Sequence, residues 1–380
     1  MINLKIEGDY IDSFLYSGNF FLIDTEMQIS SFSWNEILSK LNDNKLVDFF
    51  NGHRIIAKEI ESLKGEYIID KKTLDSCKNN NISFDYWITD IDIYRNTLFV
   101  SSHEGIKAIA TERTDNRGNP EFKFLNHSHK ITDEKVFDMS IGEIYSIGDI
   151  EGYARIIISC GNNGAYEIVT KGERGGIHKR SNESLLSPKT WIGCEFNSYT
   201  GLTILKNFTL REAFKFEGKH FKNDDNPNQK TDEDNSKLVT DIEDMLIEDT
   251  PKSINVNKLK QVIDYLDFWL VNDDLVVLNN NLKTERFKLE EFLINSDFHD
   301  DQNVVIDFVS EIDNCLTDVK QTKFGVILEK SESLTLKLKD KNEYVFSEYT
   351  NWRTFPKSKN YQNHLHVVQD DYISVLGFEI

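Results

Sequence analysis

Two short segments bring paired imidazoles within reach of one another: Asn126-His127-Ser128-His129 and Asn363-His364-Leu365-His366. On a β-strand the first and third positions project to the same face, so each pair could offer two nitrogens to one metal ion such as zinc. Both pairs together would make a four-nitrogen site, but 237 residues separate them. No acidic residue stands at a fixed spacing that would make it a further ligand or a general base. Isolated pairs of this kind are common as ordinary turn or surface histidines, so the bare sequence favours a chain without a metal or other cofactor.

A second candidate is Lys171 to Arg180, KGERGGIHKR, whose Lys171, Arg174, His178, Lys179 and Arg180 make a basic island. Gly172, Gly175 and Gly176 would let the backbone approach a phosphate or another anion closely. The segment lacks the Gly-Lys-Ser/Thr ending of a P-loop and the GxGxxG of a dinucleotide fold. A solvated hairpin loop balanced by nearby carboxylates is the plainer reading. Other catalytic templates fail: there is no GxSxG, HExxH or CxxC. Asp90 and Asp92 flank Ile91 in a strand pattern, which fits a polar face beside a turn better than an acid/base dyad. Cys77, Cys160, Cys194 and Cys315 lie far apart, as reduced and mostly buried thiols would.

Binding chemistry has two further candidates. Phe221 to Ser236 is dominated by charged and amide residues and is expected to be a flexible surface insertion. After it, Thr240 to Asp249 could form a short acidic helix with Ile242, Met245 and Leu246 on one face, either docking into a basic groove or folding back on its own domain, the latter favoured. The segment Tyr349 to Tyr361 reads as a loop rich in interface-type residues, with Trp352, Arg353 and Phe355 as contacts or, equally, as seals of an outer strand.

The elements that would position these residues are hairpins. In Asn96 to Thr111, NTLFVSSHEGIKAIAT, two apolar β-patterned runs flank a tight-turn sequence. The layout recurs from Gly18, Ala154, Thr200, Phe268 and Phe324, with neighbouring starts 46 to 78 residues apart. The shortest step approaches the ~40 to 50 residues of a four-stranded propeller blade, and insertions account for the longer ones. The chain therefore resembles β-propellers as an architecture, without the Trp-Asp and Gly-His signatures of WD40 blades. The resemblance implies one all-β domain over 1–380 with six or seven irregular blades. Ser33 to Phe50 interrupts the rhythm with apolar residues at helical spacing, Ser33 as N-cap and a break near Asn42 to Asn44. Tyr372 to Ile380 is a strand without a following partner, so pairing it with N-terminal strands would cover two exposed edges.

Composition narrows the partners. With 64 acidic against 44 basic residues the net charge is −20, a field that repels nucleic-acid backbones and admits a protein with a basic surface. No apolar run is long enough to cross a bilayer and Met1 to Phe14 has no signal-like apolar core, so a cytoplasmic protein is expected. These features point to a non-catalytic scaffold or recognition subunit. The alternative is a hydrolase or ligand-binding propeller using the histidine pairs or the 171–180 loop at a central channel.

Overall fold

The computed structural model describes residues 1–53, 57–95, 97–116, 119–147, 151–172, 177–198, 201–207, 211–216, 251–253, 265–271, 274–279, 284–288, 304–306, 316–339, 342–355 and 358–379. The described strands form six four-stranded antiparallel sheets and one five-stranded sheet, the sheet architecture of a β-propeller. Five of the six hairpins legible in the sequence are the two middle strands of different four-stranded sheets, and the one read from Phe268 begins a strand earlier, in Tyr265–Val271, the first strand of its sheet. Thr97–Ser102 pairs with Gly105–Asn116, for example, and Gly325–Lys330 with Ser333–Leu338. Middle strands packed on both faces read as continuous apolar runs rather than alternating ones. Accordingly, every residue of Thr97–Ser102 is buried. The turn after it needs glycine: Gly105 sits at φ +115°, and a Cβ there would meet the Thr132 carbonyl oxygen at 2.0 Å.

The five-stranded sheet joins the two ends of the chain, as expected. Ile2–Glu7 pairs antiparallel with Tyr372–Gly377 on one side and parallel with Gly65–Ile69 on the other. Ile2, Leu4 and Ile6 alternate inward and are fully buried. His364–Val368 and Asn351–Thr354 complete the sheet beyond Tyr372–Gly377. This corrects the loop-like reading of the segment 349–361, because Asn351–Thr354 is a strand despite the proline and amides around it.

The helical interruption follows its local signals. α1 (Trp34–Ser39) starts where the Ser33 hydroxyl accepts from the Glu36 amide at 3.4 Å, and α2 (Asn44–Phe50) starts at Asp43, which caps the Lys45 amide at 2.8 Å. α3 (Ala57–Leu63) and α4 (Lys71–Asp75) follow, before and after the Gly65–Ile69 strand. Trp34, Ile37, Leu38, Leu46, Phe49 and Phe50 pack into one apolar cluster with Ile2, Leu4, Ile6, Ile373 and Val375. The helices thus cover the sheet that unites the chain ends.

Two compact units can be distinguished. The first comprises Met1–Trp87, Thr111–Asn126 and Glu311–Ile380; the second comprises Ile88–Ala110 and His127–Ser310. In the first, the five-stranded sheet lies with the sheet of Tyr10–Tyr16, Asn19–Asp24, Gln28–Ser33 and Lys78–Ser83 and the sheet that begins at Leu316–Gln321. In the second, the apolar core gathers Ile156, Ile158 and Ile168 in one cluster and Ile157, Trp191, Phe196 and Phe216 in another. The insertion expected at 221–250, with its helix and Ile242, Met245 and Leu246, lies outside the described residues.

Candidate functional site

His364 and His366 lie in the first unit on the strand His364–Val368, flanked by buried neighbours on every side. Their rings face the same way along the strand and stack with centroids 5.9 Å apart, as the i, i+2 rule requires. Aromatic rings enclose them: Phe50 lies 5.4 Å and Tyr361 5.7 Å from His364, and Phe355 lies 4.8 Å and Phe20 5.8 Å from His366. Nδ1 of His366 shares a 2.9 Å hydrogen bond with the Ser13 hydroxyl. Both nitrogens of His364 and Nε2 of His366 have no well-formed hydrogen bond. Burial pushes His364 down to about 3, offset only in part by the Phe50 backbone. Burial also pushes His366 well below its ordinary value, with His364 and Arg353 adding to the shift. Both imidazoles are therefore neutral packing elements at pH 7.

The other pair has a different setting. His127 and His129 stand exposed on the strand Asn119–Thr132. Among the described residues, no group of three or more His, Cys, Asp or Glu side chains converges as a metal centre.

The basic island is shorter than a loop reading implies, because ladder pairing runs through Lys171↔Lys179 and Gly172↔His178. His178 is buried, with Nδ1 bonded to the Thr170 hydroxyl at 3.1 Å, and its backbone amide donates to Thr97 Oγ1 at 3.1 Å. Burial, with Arg95 adding, pushes His178 down to about 4, so it carries no charge to offer an anion. Lys171 Nζ sits 5.6 Å over the Tyr153 ring, and Arg180 is paired with Glu183. Lys179 is exposed, and Arg174 lies outside the described residues. The anion site read from these residues is thereby reduced to strand ends with local charge balance.

The aromatic segment is also spent largely on packing. Trp352 is half-buried and its Nε1 donates to Glu329 Oε1 at 2.8 Å. Arg353 forks onto Asp12, with Nε to Oδ1 at 3.2 Å and Nη2 to Oδ2 at 2.5 Å, and its guanidinium lies 5.2 Å over Phe14. Phe355, expected as a contact residue, is only 8% exposed and packs edge-on against Phe14 at 5.9 Å. A side chain so enclosed cannot anchor a partner, and the seal reading holds for it.

One repeated feature escaped the sequence reading. Asp12, Asp90, Asp138 and Asp318 each stand near the start of the first strand of a four-stranded sheet, and each carboxylate accepts the amide of the next residue, at 2.7, 2.8, 3.0 and 2.8 Å. At Asp12, Asp90 and Asp318, and also at Asp267, the strand register shifts by a bulge. The other oxygen can clamp a neighbouring sheet: Asp138 Oδ2 accepts the Cys194 amide at 2.8 Å. Asp92 likewise holds the Ile93 amide at 2.7 Å. Asp90 and Asp92 are therefore backbone acceptors, which accords with their reading as structural rather than catalytic. The triplets YID, ITD, YLD and LTD carried this signal in the sequence.

Exposed apolar side chains mark what the sheets leave open. In the first unit Trp87 and Ile68 are each 57% exposed, and Val345 and Leu125 also reach solvent; in the second, Leu185 and Phe137 do so.

The architecture is that of β-propeller domains, and several solved examples resemble this chain. The Pan2 WD40 domain of Neurospora crassa is 9% identical, with 98% of this chain and 90% of that chain covered and a TM-score of 0.43. The AfRom2 CNH domain is 9% identical, with 98% and 96% covered and a TM-score of 0.49. BBS1N, solved in complex with ARL6DN, is 8% identical, with 100% and 96% covered and a TM-score of 0.44. No family model matches the chain, and no curated protein matches it. No helix among the described residues is long and apolar enough to cross a membrane.

Proposed function

We propose that this chain is a non-catalytic recognition or scaffold subunit that binds another protein in a cytoplasmic assembly. The observation that supports it most is Trp87, which stands 57% exposed while Trp34 and Trp191 are fully buried. Scattered exposed aliphatics are ordinary, but tryptophan is the residue type most often found to anchor an interface. Trp87 stands in the short link of residues 84–87 that follows the strand Lys78–Ser83, and a short tether lowers the entropic cost of ordering it on binding. The net charge of −20 steers the chain away from nucleic acid and toward partners with basic surface. His178, His364, His366, Asp90 and Asp92, which looked chemical, are occupied in packing and backbone bonds, which fits a binding role better than a reactive one. The test is isolation of the intact protein from its own cells, wild type against Trp87→Ala, with partners identified by mass spectrometry. A partner at near-equal stoichiometry that Trp87→Ala loses supports the reading; an active-site-directed reagent that labels the chain stoichiometrically would oppose it.

A further inference from the structure

The strand Asn119–Thr132 is the outermost of its four-stranded sheet, bonded on one edge to Gly105–Asn116 and joined on the other by no strand among those described. At 14 residues it is the longest described strand. From 123 to 130 its side chains are exposed on both faces, apart from Phe124, which is half-buried 6.3 Å from Phe21. Such an edge offers a row of backbone donors and acceptors to an incoming strand.

Its composition also departs from the rest of the chain. Phe122 to Thr132, FKFLNHSHKIT, contains no carboxylate, although the whole protein carries −20. Leu125, His127 and His129 share one face of the strand, and Asn126, Ser128 and Lys130 share the other. Lys130 pairs with Asp133, but that pair is solvent-exposed, so it competes weakly with a new partner.

We propose that this edge binds an acidic, extended peptide of a partner protein, which adds to the sheet as a fifth strand. Main-chain hydrogen bonds would supply affinity. His127 and His129 would select acidic side chains at alternate positions on one face, Lys130 an acidic one on the other, and Leu125, on the histidines' face, an apolar one. Pairing with a second copy is disfavoured, because it would set the same carboxylate-free, Lys- and His-bearing strands against each other. The inference rests on the recognition function proposed above and adds one site to it; the peptide is acidic although the whole chain's charge favours partners with basic surface, because Phe122 to Thr132 carries no carboxylate.

The test uses the full-length protein and a fluorescent ten-residue peptide of Glu and Val in which Glu stands on both faces of the extended chain, with binding read by anisotropy at physiological salt. The controls are the same peptide with Lys for Glu and the acidic peptide N-methylated at alternate residues. Saturable binding of the acidic peptide, at least tenfold weaker for both controls, supports the proposal. So does a loss of tenfold or more in the triple variant His127→Glu, His129→Glu, Lys130→Glu with an unchanged melting temperature. Equal binding of the acidic and basic peptides, no effect of N-methylation, or full binding by the triple variant overturns it. So does sedimentation as a dimer that the triple variant abolishes, since the edge would then pair with itself. If a cellular partner is captured equally by the triple variant, the recognition function stands and this site falls; if no partner is captured at all, the recognition function itself falls.

Discussion

Acidification should loosen the sheet that joins the chain ends, because His364 and His366 are held neutral inside it. A free histidine titrates near ~6.5, whereas burial holds His364 at about 3 and His366 well below its ordinary value. Below pH 6.5 the unfolded chain binds protons that the folded chain refuses, so stability falls as pH falls. The contribution is fully present above about pH 6.5 and is lost progressively toward pH 3. At pH 5.0 the medium is ~1.5 pH units below the unfolded value of His364, which at about 1.4 kcal/mol per unit is roughly 2 kcal/mol, and His366 adds in the same direction. Other groups titrate over the same range, including His178, so the informative quantity is a difference. In urea unfolding at pH 7.5 and 5.0, the double variant His364→Leu, His366→Leu should lose at least about 2 kcal/mol less than wild type between the two conditions. Leucine retains bulk in the aromatic nest and has nothing to protonate, although it gives up the Ser13 bond. Parallel pH profiles for the two proteins would refute the reasoning, since they would mean that water or a polar partner reaches the rings.

Three further outcomes follow from the packing. Removing residues 372–380 takes out the strand between Ile2–Glu7 and His364–Val368, so the truncated chain should lose cooperative thermal unfolding; an unchanged melting curve would contradict the shared sheet. Arg155 is buried, donates to Glu167 at 2.5 Å and lies 3.7 Å over the Phe216 ring, so Arg155→Ala should cost ~3 to 5 kcal/mol in urea unfolding by leaving the buried Glu167 charge without its cation. The more conservative Glu167→Gln should cost less than that. Asp138→Ala removes the acceptor of both the Met139 and Cys194 amides, at about 1 to 3 kcal/mol for each group left unsatisfied, and hydrogen exchange at those amides should accelerate while Asp90→Ala leaves them unchanged.

The hairpins were legible, five of them central in their sheets, because burial on both faces writes itself as unbroken apolar runs between turn residues, a signal that survives without an alignment. The paired helices near 33–50 were legible for a different reason: Ser33 and the Asn42 to Asn44 break act locally. Asn351–Thr354 was not, since Pro356 and the amides after it imitate a loop, and only pairing to His364–Val368 keeps this segment extended. His178 was misread as exposed, and Phe355 stood open between contact and seal, because a charged or polar neighbourhood in sequence need not be one in space. His178 lies under Tyr94 and Phe99, and Phe355 under Tyr361 and His366. The strand-opening aspartates are a repeat in the sequence, but of these only Asp90 drew notice, paired with Asp92, and one carboxylate beside a strand carries no information until its neighbours in the other sheets are set beside it.

The central claim is that this propeller works by holding another protein. Native purification of the intact chain from its own cells, with mass spectrometry and mass measurement of the complex, tests it most directly when wild type is run beside Trp87→Ala and Ile68→Ala together. Both side chains are 57% exposed, so their removal should leave the melting temperature within about a degree of wild type, as surface substitutions usually do. The account predicts a defined complex for the wild type and its loss in the double variant. A wild-type chain that purifies alone, with the same mass as the variant, would contradict it.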